Sequence, residues 1–144
     1  MIRPSVECWA VRREGDGLRV LLLHAPERPG RHPALWQPVS GGVEAGETPL
    51  QACLRELREE TGLSVSPHAP VEVAAGIALV VSPEMTLLKT VYAAVVPGGP
   101  VVEDPEEHDG HEWLPPGRVH DRLWRASHRA TWALAAPVAT ALAA

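Results

Sequence analysis

Between Thr48 and Gly62 the chain commits to a helix and to an electrostatic conflict on its surface. Thr48 can cap the first turn, Pro49 suits the first helical position, and Gly62 can end the helix in a left-handed conformation. Leu50, Cys53, Leu54 and Leu57 recur at i, i+3, i+4 and i+7, so they make one apolar face that needs a core to lie on. Glu56, Glu59 and Glu60 recur at i, i+3 and i+4 and share another face. Three carboxylates so close repel one another and weaken an isolated helix. Two readings accommodate them: a solvated acidic face softened by Arg55 and Arg58, or a site for a hard divalent cation, which takes oxygen ligands.

The residues around the helix decide between these. Gly41, five residues, Glu47, seven residues, and then Arg55-Glu56-Leu57-Arg58-Glu59-Glu60-Thr61-Gly62-Leu63 resembles the box of the Nudix family at every defined position. Several of those positions demand a single residue type, and at roughly 7% usage per type a chance match in a given window is on the order of 10⁻⁸. Gly41 and Gly42 let the backbone turn sharply and approach a ligand, and Gly46 lets the loop tighten before the helix. The resemblance implies that Glu56 and Glu60 ligate Mg²⁺, with Mn²⁺ as the alternative ion. Glu59 would ligate or act on the attacking water, and a backbone carbonyl at Ser40 or Gly41 would complete the set. It also implies an internal ion pair between Glu47 and Arg55 that holds the loop to the helix and orients the glutamates. The chemistry implied is attack of water on a phosphorus of a diphosphate bridge, with metal polarising the phosphoryl oxygens.

At 144 residues and 45% hydrophobic content the chain is expected to form one domain, 1–144, around one sizeable core. Val6–Arg13 and Leu18–His24 read as strands of a hairpin, with Glu14-Gly15-Asp16-Gly17 as the turn. The continuous run Leu21-Leu22-Leu23 reads as a strand buried on both faces. Leu35–Val39 is a short strand leading into Ser40-Gly41-Gly42. Val71–Val81 and Thr86–Val96 are a further strand pair, and His111–Leu114 a brief strand. Ala126–Leu134 reads as the last main helix, kinked or broken at Pro137. The fold class expected is α/β, a sandwich with a central mixed sheet between helical layers, as the resemblance implies.

A net charge of −5 argues against a protein that holds phosphates with Lys and Arg alone, and metal resolves that difficulty. Cys8 and Cys53 stand in apolar-periodic segments and read as buried free thiols. The N-terminus lacks an apolar signal core, and the Ala-rich tail is too short to span a bilayer. The expectation is a cytoplasmic protein, monomer or homodimer, with a small nucleotide or pyrophosphate ligand and neither nucleic acid nor membrane as partner.

Outside the box, Leu35–Glu44 with its Trp-Gln pair is similar to the Nudix subgroup of dihydroneopterin triphosphate and dATP-type pyrophosphohydrolases. The segment Leu123–Ala130 resembles that subgroup's Trp…Ser-Asn-Arg pattern, with His128 in place of Asn. Glu107-His108 followed by Trp113 resembles the Glu-His…Trp pattern of several Nudix nucleotide hydrolases and implies Glu107 as a further ligand or the general base. Candidate substrate contacts are Trp36, by stacking or else as a core plug, Arg28 and Arg31 at terminal phosphates, and Gly42 by close backbone approach. Trp113, Trp124 and Trp132 read as packing residues, and His24, His32 and His128 have no assignment. Family members acting on ADP-ribose or diadenosine polyphosphates often carry a Pro or Tyr where Gly76–Val81 has neither, which lowers both readings without excluding either. The leading expectation is therefore hydrolysis of a nucleoside or pterin triphosphate. The alternatives are a dinucleoside polyphosphate, nucleotide-sugar or ADP-ribose hydrolase, and a non-catalytic ligand-binding module on the same fold.

Overall fold

A computed structural model describes residues 1–15 and 17–144, so the central turn residue Asp16 lies outside the described residues. The chain runs β1 (Ile2–Glu14), β2 (Gly17–Ala25), β3 (Leu35–Gln37), β4 (Val39–Gly42), α1 (Pro49–Thr61), β5 (Val71–Ser82), β6 (Met85–Val95) and β7 (Gly110–Leu114). A single 3-10 turn (Pro116–Arg118) then leads to α2 (Val119–Arg122) and α3 (Ala126–Leu142).

The seven strands form one mixed sheet. Its central path is β3-β2-β1-β6-β5, with β4 also pairing β1 and β7 also pairing β2. β1 lies parallel to β6 and antiparallel to β2 and β4. Pro38 separates β3 from β4, and there the chain passes from pairing β2 to pairing β1. Proline offers no N–H to a ladder, so a break at that point leaves no donor unsatisfied.

Alternation along the central strands builds two cores. Val6, Cys8, Ala10, Leu21 and Leu23 face α1 and meet Ala52, Cys53 and Leu57. Trp9, Val11, Val20 and Leu22 face α2 and α3 and meet Val119, Leu123, Trp132, Ala135 and Ala139. The apolar run in β2 is thus buried on both faces, as its lack of alternation predicts. Both cysteines are free and buried in the first core. The sheet lies between helical layers, the α/β sandwich expected from the sequence.

Three details differ from the sequence reading. Ala52 rather than Leu54 is buried with Cys53 and Leu57, because α1 meets the sheet rotated toward the Glu60 side; Leu54 is only partly covered. Pro137 does not break α3, which continues to Leu142. Packing of Ala135 and Ala139 against the sheet, on either side of the proline, offsets the lost backbone hydrogen bond. Trp124 is exposed, with the Arg125 guanidinium over its ring, whereas Trp132 is buried against Trp9. No helix among the described residues is long and apolar enough to cross a membrane.

Candidate active site

The site grows from the start of α1. Thr48 accepts the Gln51 N–H at 3.1 Å, and the Gln51 side chain accepts the Thr48 N–H at 2.9 Å, a complete capping box. Such a cap contributes about 1 kcal/mol and fixes where the helix begins. Gly62 closes the other end at φ 76°, in the left-handed region, with its N–H on the Arg58 carbonyl. A helix held at both ends projects Glu56, Glu59 and Glu60 from fixed positions.

Arg55 ties the loop to those glutamates. Its Nε and Nη2 donate to the two oxygens of Glu47 at 2.8 and 3.0 Å, and Nη2 also donates to the Gly42 carbonyl at 2.8 Å. Its Nη1 donates to Glu56 at 2.7 Å and to Glu59 at 3.2 Å. One guanidinium therefore joins the loop, the end of β4 and two of the three glutamates. Glu47, gripped chiefly by Arg55 and assisted by the Glu44 backbone, is held down to a pKa of about 2. The Gly42 contact ties the end of β4 to α1.

The three glutamates are not equivalent. Glu59 is half exposed, Glu56 is largely covered, and Glu60 is 1% exposed. The Ser40 backbone favours the charged form of Glu60, yet its Oε2 is fully enclosed with no hydrogen-bond partner among the described residues. Burial first, then Glu56 and Glu107, push its carboxyl up to about 10. A buried carboxyl with an orphaned oxygen, beside two more carboxylates, is unfavourable as a purely structural feature. Oxygen donors of this kind fit a hard divalent cation.

The Asp104–His108 loop closes the other side. Glu60, Glu107 and His108 each offer a ligand atom, all within 4.8 Å of one another. Burial, with Glu56, Asp104 and Glu59, raises the Glu107 pKa, and Arg28 partly opposes this. His108 is buried, which lowers its pKa and keeps the ring neutral. Gln37 Nε2 donates to His108 Nε2 at 2.9 Å, which leaves the ring proton on Nδ1, 3.8 Å from Glu60 Oε1, so in this tautomer His108 faces Glu60 as a donor and not as a ligand.

Two cavities adjoin at this point. The smaller, about 250 Å³, is lined by Arg28, His32, Gln37, Ser40, Glu60, Glu107 and His108 among others. The larger, about 400 Å³, is lined by Ser40, Gly41, Gly42, Leu79, Val81, Leu87, Lys89 and His128 among others. Gln37 and Ser40 line both.

Of the residues singled out from sequence, Glu47, Arg55, Glu56, Glu59, Glu60, Ser40, Gly41, Gly42, Glu107 and Arg28 come together here. Trp36 and Arg31 do not. Trp36 lines neither cavity; it packs against the second core, with its ring centroid 4.8 Å from that of His24. The reason is strand alternation: Gln37 pairs with Leu23 and shares its face, while Trp36 pairs with His24 on the other. Arg31 is exposed in a turn, its N–H on the Arg28 carbonyl. Residue type favours Trp36 over Gln37 as the ligand contact of the Trp-Gln pair, but alternation says that only one of them can face the site.

Comparison with known proteins bears on the family and the fold. The family model described as NUDIX domain matches residues 1–134. An octanoyltransferase of Myxococcus xanthus is 37% identical over 121 residues, 83% of this chain and 32% of that protein. An RNA pyrophosphohydrolase of Cereibacter sphaeroides is 41% identical over 61 residues, 42% of this chain and 34% of that protein. The chain thus spans about a third of the length of these curated relatives. Among solved structures, the NUDIX domain of Shewanella oneidensis NrtR complexed with ADP ribose superposes with a TM-score of 0.77 at 18% identity, covering 96% of this chain and 88% of that one. A C. elegans Ap4A hydrolase binary complex gives 0.71 at 16% identity, covering 96% and 98%. At such identities the likeness is one of fold.

Proposed function

The chain belongs to the NUDIX domain family, and we propose that it is a divalent-cation-dependent pyrophosphohydrolase cleaving a diphosphate linkage in a nucleoside or pterin triphosphate. One observation carries this reading: a carboxylate-lined cavity adjoins a larger, partly aliphatic one, and Gln37 and Ser40 belong to both. A ligand with a ring system and a polyphosphate tail fits two such compartments, the ring against Leu79, Val81 and Leu87 and the tail toward Arg28 and the glutamates.

In this reading Glu56 and Glu60 hold Mg²⁺ or Mn²⁺, with Glu59 and the backbone at Ser40–Gly41 as supplementary donors. Held there, such an ion would supply Lewis acidity at the phosphoryl oxygens and make the attacking water more acidic. The protein's own groups do the rest. Arg55 fixes Glu56 and Glu59, and His108, positioned by Gln37, faces Glu60. Glu107, which borders the carboxylate-lined cavity and whose carboxyl is made more basic chiefly by burial, is suited to take a proton from the attacking water. Arg28 borders the same cavity and gives a fixed cation for a terminal phosphate. Water adds to phosphorus as the bond from phosphorus to the bridging oxygen breaks, and the leaving phosphate carries the electron pair away.

The test is a panel of nucleoside and pterin triphosphates, diadenosine polyphosphates, ADP-ribose and nucleotide sugars with Mg²⁺ or Mn²⁺, products identified by mass. Turnover of a triphosphate to a monophosphate or diphosphate supports the reading. Turnover confined to a diadenosine polyphosphate, ADP-ribose or a nucleotide sugar sinks the triphosphate assignment, and turnover of nothing sinks the enzyme.

A further inference from the structure

The larger cavity rests on a buried polar cluster for which the diphosphate chemistry has no use. Lys89 on β6 is 6% exposed and lines the cavity. Its ammonium donates to Glu7 Oε2 on β1 at 3.1 Å. The other Glu7 oxygen accepts the Thr131 hydroxyl from α3. Glu7 is completely buried, so its charge is matched by Lys89 and its geometry by Thr131. An ammonium has three donors, and among the described residues only Glu7 accepts from this one. A buried ion pair is weak support for a fold, since apolar residues of similar volume often serve as well or better. Its place beneath a cavity gives it a different use.

The neighbouring groups are also short of partners. His128 on α3 is 4% exposed and lines the same cavity; its Nδ1 is enclosed with no hydrogen-bond partner. Ser5, equally part of the lining, has an enclosed hydroxyl with no partner. Beside Lys89 the lining is aliphatic: Leu87 lies two residues along β6 on the same face, Leu79 pairs with it from β5, and Val81 follows. A cavity that sets an aliphatic stretch beside an ammonium with donors to spare fits the polar edge of a heterocycle.

We propose that Lys89 is a specificity-determining residue of the nucleotide site, selecting a heterocycle that presents a carbonyl oxygen over one that presents an amine in its place. An ammonium can only donate. A 6-oxopurine or 4-oxopyrimidine gives it an acceptor, whereas the corresponding amino base sets N–H against N–H and leaves a buried donor unmet. Glu7 and Thr131 are positioning residues: they hold Lys89 and contact no ligand. The inference rests on the nucleotide reading of this cavity but not on hydrolysis.

Binding of monophosphates separates the two, since none contains a diphosphate to cleave. Calorimetric affinities of the full chain for IMP against AMP, and for UMP against CMP, compare ligands that differ at the oxo or amino position. The oxo member of each pair is expected to bind at least about tenfold more tightly, the worth of one charge-assisted hydrogen bond. In Lys89→Met combined with Glu7→Gln, which leaves no orphaned buried charge, the ratio is expected to fall to within about twofold. A wild-type ratio near one overturns the proposal whether or not the double variant folds. So does a preference that survives in the folded double variant, or failure of all four to bind. Oxo-selective binding together with turnover of no triphosphate would uphold this inference and sink the hydrolytic one.

Discussion

A Cβ atom on Gly41 would stand 2.2 Å from the carboxyl carbon of Glu56, in space the carboxylate already fills. The glycine is needed there for that reason and not for any unusual backbone angle, since Gly41 is not among the residues with positive φ. Gly41→Ala is therefore expected to push the Glu56 carboxylate aside while leaving the fold intact. A displacement of about 1 Å at such a site costs on the order of 10²-fold in rate. Steady-state kinetics beside a thermal melt check this, and an active, correctly folded alanine variant would remove Glu56 from its assigned role.

Arg55→Lys tests the tie between loop and helix. Lysine keeps the charge but loses the planar fork that reaches Glu47, the Gly42 carbonyl, Glu56 and Glu59 together. A loss of about 10–100-fold in Mn²⁺ affinity or activity is expected, measured by titration and turnover. Wild-type values would mean that Arg55 is only a surface partner.

Glu107→Gln distinguishes two assignments. As the general base, Glu107 should cost about 10²–10⁴-fold in kcat when replaced, with the limb of the pH–rate profile that requires its deprotonation lost and Mn²⁺ affinity little changed. As a metal ligand, it should weaken Mn²⁺ binding instead. Activity near wild type would exclude it from the mechanism.

His128 sets part of the acid limit of stability. Burial, then Lys89 and Arg125, hold its pKa down to about 3 in the folded protein against 6.5 for the free side chain. The unfolded chain therefore binds the extra proton between those values. This contribution is complete above about pH 6.5 and is lost as pH falls toward 3, with a slope of at most about 1.4 kcal/mol per pH unit. Denaturant melts of wild type and His128→Asn from pH 7 to pH 4 should converge as pH falls; parallel curves would show that the ring is not buried as a neutral group.

These residues also mark what a linear reading of the chain can and cannot reach. Helix α1 was legible to its ends because Thr48, Pro49 and Gly62 act locally, and the Glu56–Glu60 face was legible because spacing alone creates it. The two-sided burial of β2 followed from Leu21-Leu22-Leu23. The Lys89–Glu7–Thr131 cluster was not legible, since it joins three elements whose contact only the folded sheet creates. His128 stands out in the sequence but has no assignment there for the same reason. Trp36 shows a different failure: residue type suggested a stacking platform, while strand alternation turned the ring into the second core and presented Gln37 instead.

Hydrolysis in ¹⁸O-enriched water tests the central claim most directly. A triphosphate incubated with Mg²⁺ and the wild-type protein should yield a phosphoryl product carrying one ¹⁸O atom per bond cleaved, read by mass or ³¹P shift. Glu60→Gln should lower that yield by at least about 10²-fold, and chelation of the cation should abolish it. Triphosphate hydrolysis undiminished in Glu60→Gln or in excess EDTA, or no incorporation of ¹⁸O with either cation, would contradict the account.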